Sequence, residues 1–260
     1  MSNLLKFNFR KLRKQKTFYI FLGVIIGMAL LTAIMIKVMI SMGAGNGSTA
    51  AQIQMYKNST AFDFALSSLD GSSFVTLVGI IIALAVCDDF EQRTIKTIFA
   101  RGYSRTHVYF SKLAAMFVAT TIAFIITVLS GFVIGLVFFG TGSADINFGK
   151  MLALLGIQYI AALANAAFIF MLSFLFKRSG ISITVAIIAP IVMSLLLQLG
   201  DALLKSDDIK LTDFWVSSCL AALSNMAITT GKMITLLLIS IAYGICFVSV
   251  GAALSKNTEV

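Results

Sequence analysis

Charge is the scarcest commodity in this chain: only 12% of its 260 residues are Asp, Glu, Lys or Arg, while 59% are hydrophobic and the mean hydropathy is +0.97. A soluble domain is about 45–50% apolar, so that class is excluded and an all-α integral membrane protein is implied. Cysteine is nearly as rare. Cys87, Cys219 and Cys246 are odd in number, and Cys87 and Cys246 fall at or inside apolar runs, which argues against a disulfide framework or a thiolate metal site. His107 is the single histidine, and with no Cys or second His near it a metal or general-base role has little support.

Catalytic signatures are missing too. The chain contains no GxxxxGK[ST] phosphate loop, no GxSxG, no HExxH and no paired CxxC. Asp88-Asp89 alone is too small for the carboxylate clusters that hold Mg²⁺ and diphosphate in membrane prenyltransferases. The simpler reading is that the two aspartates stabilise a helix N-terminus, with Glu91 in the first turn. No acid or base stands in the middle of an apolar run, which disfavours ion-coupled secondary transport. One Trp and six Tyr against 22 Phe do not suit a sugar path. The chain is therefore expected to have no catalytic site and to bind no metal or cofactor itself.

What it does have is hydrophobic length. A bilayer-spanning helix needs about 20 mostly apolar residues, and six runs reach or approach this: Phe18–Ile36, Ser72–Cys87, Val108–Phe139, Met151–Phe176, Ile181–Leu204 and Met233–Leu254. Phe18–Ile36 is too long for the core of a secretory signal, and no A-x-A-like site follows it, so it is expected to be retained. Fourteen Lys and Arg residues fall on the side of the termini and six Lys on the other, which places both termini in the cytoplasm of a plasma-membrane protein. The net charge of +9 follows from this asymmetry and favours anionic lipid over nucleic acid.

The whole chain, 1–260, reads as one transmembrane domain. In segment 1–16, Leu4, Leu5, Phe9 and Leu12 gather on one helical arc and Lys6, Arg10, Arg13 and Lys14 on the opposite one, the pattern of an interfacial amphipathic helix. The first outer connection, 41–71, is rich in Gly and Ser. The last, 201–231, starts polar and turns apolar over Phe214–Ile228 without reaching spanning length, which suggests a re-entrant stretch, with Trp215 at the outer interface. Gly23-x-x-x-Gly27 and Gly131-x-x-x-Gly135 are candidate sites of close helix approach. Gln158 and Asn165 share a face of the fourth span, and Thr184, Pro190 and Gln198 interrupt the fifth. All five are candidates for a pathway or a helix interface, with interface contacts favoured.

Segment 88–106 is a charged island between the second and third spans. At 100° per residue from Glu91, the residues Thr94, Ile95, Ile98 and Phe99 share an arc, opposite Gln92, Arg93, Lys96 and Thr97. Glu91 itself falls within the apolar arc, so either a basic residue of another cytoplasmic segment or of a partner subunit satisfies it, or it simply begins the helix and points to water. Arg101-Gly102-Tyr103-Ser104-Arg105 supplies a turn, and Ser104 or Thr106 caps the helix that follows.

Phe90-Glu91-x-x-Thr94-Ile95-Lys96, then Ala100-Arg101-Gly102-x-Ser104-Arg105, then Ser111-Lys112-Leu113 resembles the permease subunits of type-2 ATP-binding-cassette exporters. Arg93 departs from the small residue common before that threonine. The resemblance implies a cytoplasmic coupling helix over about 89–100 that docks on a separate ATPase, which would bind the ATP and Mg²⁺. It assigns Glu91, Thr94, Ile95, Ile98, Phe99, Arg101, Ser104 and Arg105 to that coupling. It also implies a second permease copy or paralogue, a bacterial source, and outward movement of an amphiphilic cargo such as an antimicrobial peptide, drug or lipid-like molecule. The alternative is a stand-alone secondary transporter or assembly scaffold.

Overall fold

A computed structural model describes residues 2–41, 60–69, 73–92, 94–100, 102–140, 148–204, 211–224 and 228–257; most of the Gly- and Ser-rich first connection, together with Arg93 and Arg101, lies outside these residues. Among them all regular structure is helical, and six helices are long and apolar enough to cross a membrane. In chain order these are α1 (Ser2–Lys14), α2 (Lys16–Ser41, first span), α3 (Ala61–Ser67), α4 (Ser73–Glu91, second span), α5 (Thr94–Ala100), α6 (Arg105–Phe139, third span), α7 (Phe148–Phe176, fourth span), α8 (Ser179–Leu204, fifth span), α9 (Val216–Leu223) and α10 (Thr230–Asn257, sixth span).

The start of α1 and the end of α10 lie at one end of the bundle, the basic end, with α5 and the short turn into α8: Asn8 of α1 bonds to Ser111, and Tyr109 donates to the Val248 carbonyl of α10, both from the first turns of α6. The arc read from sequence in α1 is confirmed: Leu4 and Leu12 are buried, Leu5 and Phe9 half-buried, and Lys6, Arg10, Arg13 and Lys14 exposed. The buried stripe also contains a polar residue, Asn8, whose amide donates to the buried Ser111 hydroxyl at 2.9 Å near the start of α6. So the apolar side of α1 is spent on the bundle. Spans four and five are joined by Lys177 and Arg178 alone, with Lys177 at φ 57°, a left-handed conformation uncommon for a residue with a Cβ.

At the opposite end both long connections turn back into the bundle. Thr60 and Asp63 form a reciprocal capping box, each side chain accepting from the other's backbone N–H, and this starts α3. The helix then lies against α6 at the predicted glycine pair, where a Cβ on Gly135 would sit 2.8 Å from the Ala61 Cα and one on Gly131 2.5 Å from the Ser68 hydroxyl. Close approach of this kind is a main source of stability where lipid leaves helices no hydrophobic reason to associate. By contrast, a Cβ on Gly23 or Gly27 would meet nothing within 4 Å among the described residues, so that pair is not a point of close helix approach there.

The last connection penetrates further. After a 3₁₀ turn, Leu211–Phe214, Trp215 is buried between Phe168 of α7 and Tyr243 at the middle of α10. Its expected place at the outer interface is therefore corrected: the chain has already reached mid-span depth there. α9 follows with Val216, Ser217, Cys219, Leu220 and Leu223 buried.

Candidate functional site

The residues that open the charged island belong to the second span. Glu91 ends α4 and the separate helix α5 starts at Thr94, so the expected helix over about 89–100 is divided between the last turn of α4 and α5. Asp88 and Asp89 consequently sit in the last turn of a helix, where the macrodipole disfavours negative charge. The reading of them as N-terminal stabilisers is overturned, and cations must hold them.

Two lysines do so. Lys11 of α1 donates to Asp88 at 2.9 Å and also to Asp89. The Lys112 ammonium, buried in the first turns of α6, lies 2.7 Å from the other Asp89 oxygen, and Asp89 is only 3% exposed. Burial pulls the Lys11 ammonium's pKa down, but its bonds to Asp89 and Asp88 outweigh this, leaving it above its ordinary value. Next in sequence, Phe90 meets Phe174 of α7 edge-on at 5.2 Å, while Lys112 lies 5.2 Å above its ring. Glu91 then accepts from the backbone N–H and the hydroxyl of Ser179, both at 2.7 Å, at the first residue of α8. Its partner is thus a helix start and not the basic residue expected.

Four consecutive residues therefore engage four different elements: α1, α6, α7 and α8. The chain leaves this junction directly into α5. There Ile95 is buried, Thr94, Ile98 and Phe99 are half-buried, and Gly102, at φ 82°, closes the helix with its N–H on the Phe99 carbonyl at 2.9 Å. Ser104 rather than Thr106 caps α6: its backbone is extended and its hydroxyl accepts from the His107 N–H. That hydroxyl is also 2.6 Å from the His107 ring nitrogen, so the one histidine is engaged locally. Arg105 is the first residue of α6, and Arg101 lies outside the described residues.

The five candidates within the spans separate into two groups. Gln158, fully buried, donates to the Leu66 carbonyl at 3.3 Å, and Ser224 at the end of α9 donates to the same oxygen at 3.4 Å, joining α3, α7 and α9. Asn165 accepts from Ser217 of α9 at 3.0 Å and donates to its own helix at Ala161. Both side chains therefore bond across to neighbouring helices. Thr184, which donates to the Gly180 carbonyl, and Gln198 are exposed, with Pro190 half-buried between them in the same helix. α8 is the least covered span, with 11% of its most apolar stretch buried against 61% for α4.

Lys11 and Ser179 are not singled out by the sequence, and Lys112 stands there only within Ser111-Lys112-Leu113, with no partner assigned. The available signal was an acidic pair closing one apolar run and a lysine opening the next, a cheap arrangement near a membrane only if the charges meet.

An all-α, multi-pass membrane protein with a charged junction at one end is thereby defined. Residues 4–193 match the family described as ABC-2 family transporter protein, and the chain belongs to that family. It is similar to the "Uncharacterized membrane protein YdbK" of Bacillus subtilis (strain 168), with 28% identity over 123 residues, 46% of this chain and 50% of that protein. The chain thus matches about half the length of that relative.

Proposed function

We propose that this chain is the permease subunit of an ATP-driven exporter in a bacterial plasma membrane, with both termini cytoplasmic, carrying an amphiphilic cargo outward. A separate cytoplasmic ABC ATPase supplies the energy, and α5 is the coupling helix on which it docks. A single observation carries this reading: the four residues that lead into α5 are tied to α1 and to three spans, so a push on α5 is delivered to most of the bundle at once. Half-buried Ile98 and Phe99 are the apolar surface offered to the ATPase, and buried Ile95 holds the helix to the permease.

The cargo is an antimicrobial peptide, drug or lipid-like molecule, entering from the membrane. A second copy or a paralogue completes the path, facing the sparsely covered α8, where exposed Thr184 and Gln198 give the path its few polar groups. Exposed Lys6, Arg10, Arg13 and Lys14 on α1 attract anionic headgroups.

The test is replacement of Ile98 or Phe99 by Asp. Membrane insertion should be retained and ATP-dependent cargo movement lost. Normal transport in both variants would refute the assignment of α5, and a chain that transports with no ATPase present would favour a stand-alone secondary transporter.

A further inference from the structure

We infer that Glu91 and Ser179 form the joint through which movement of α5 reaches the fifth span, so that Glu91 is a positioning residue for transport and not a contact for the ATPase. This rests on the coupling reading of α5 and adds to it which span is driven and through which atoms.

Of the four junction residues, three engage elements that are themselves firmly held. Asp89 and Lys112 are buried together, Phe90 is wedged against Phe174, and Phe174 packs in turn on Tyr109 at 5.3 Å. These contacts hold the end of α4 to α6 and α7, and one turn further back the Cys87 thiol also donates to the Ser182 hydroxyl of α8 at 3.1 Å. Glu91 is different. It is exposed, it lies at the end of α4 just before α5, and it reaches the least covered span. Ser179 is the first residue of α8, so one carboxylate oxygen serves two donors on the end of a helix, one of them a backbone N–H left without an intrahelical partner. A negative charge also suits this end of the helix.

The far side of the joint is constrained by the two-residue link. Lys177 and Arg178 separate α8 from α7, and the Lys177 N–H is bonded to the Ser173 carbonyl at 3.1 Å. Displacement of Ser179 therefore pivots α8 about residues 177–178 instead of sliding it away. A small shift at the basic end becomes a larger one at the far end of a 26-residue helix.

The test uses the complex of the chain with its co-purified ATPase, in a Cys246→Ser background, because Cys246 is the exposed thiol while Cys87 and Cys219 are buried. Gln198→Cys on exposed α8 reports its surroundings through its rate of reaction with a membrane-impermeant maleimide, measured with and without ATP and vanadate. No cargo is needed. With the joint intact, ATP and vanadate should change the labelling rate. In Glu91→Ala that change should be lost while the ATPase still co-purifies and hydrolyses ATP; Glu91→Gln, which keeps an acceptor oxygen, should restore part of it, and Ser179→Ala, which keeps the backbone donor, should retain part of it. A purely structural role for Glu91 would instead reduce complex yield and hydrolysis together and leave the nucleotide response of the surviving complex intact, which overturns the inference. An unchanged response in Glu91→Ala, with Phe99→Asp still uncoupling, overturns the inference alone. Absence of an ATPase and of any nucleotide response with the joint intact overturns the coupling reading and the inference with it.

Discussion

Replacing Asp89 by Asn probes the junction where its energy is concentrated. Asp89 is 3% exposed and is the counter-charge for Lys112, itself 3% exposed. The substitution preserves shape but leaves a buried ammonium without its anion. Removing one partner of a buried pair costs about 3–5 kcal/mol, on the order of a hundred- to several thousandfold in the folding equilibrium at about 1.4 kcal/mol per decade. At roughly 2–4 °C per kcal/mol, the melting midpoint of the purified protein in mild detergent should fall by about 10 °C, read from loss of the monodisperse peak on heating. Asp88→Asn should cost only about 0–1 kcal/mol, since its side chain is 34% exposed and shares Lys11 with Asp89. The double variant Asp89→Leu, Lys112→Met should recover most of the loss, because an apolar pair carries no desolvation penalty. An unmoved midpoint for Asp89→Asn, or an equal fall for Asp88→Asn, would refute the reasoning.

The other expectations are as follows. Gly135→Ala should destabilise by about 1–3 kcal/mol through forced separation of α3 from α6, while Gly23→Ala and Gly27→Ala, whose new methyl groups meet nothing among the described residues, should leave the melting midpoint unchanged. Gly251→Ala should be destabilising because its methyl group collides with the Tyr109 hydroxyl, and Tyr109→Phe in the same chain should relieve part of the loss. Lys11 has a folded pKa above its ordinary value of 10.5, so its contribution is fully present below that pH and is lost as pH rises through the folded value. The difference in melting midpoint between the unaltered chain and Lys11→Met should therefore stay constant through neutral and mildly alkaline pH and shrink only above about pH 10.5.

Much of this architecture is legible in the sequence because the bilayer imposes a length. A run near 20 apolar residues has few other uses, so all six spans were found, and their ends were misplaced only where polar residues extend a helix, as Asp88–Glu91 extends α4. The 3.6-residue period disclosed α1 for similar reasons. The short helices of the outer connections leave no such trace: α3 has seven residues and α9 eight. Helical periodicity counted from Glu91 holds only for one continuous helix, whereas Glu91 ends α4 and faces α8, and α5 begins separately at Thr94. Partners such as Lys11 and Asp89, 78 positions apart, are brought together by the fold, and no local pattern identifies them.

The most direct test of the central claim is mild-detergent purification of the tagged chain from its native membrane, with identification of what accompanies it and an assay of ATP hydrolysis. A stoichiometric protein bearing a GxxxxGK[ST] phosphate loop, hydrolysing ATP and lost on Phe99→Asp, is the expected result. A chain that purifies alone, or an ATPase whose association is indifferent to Phe99→Asp, would contradict α5 as its docking site.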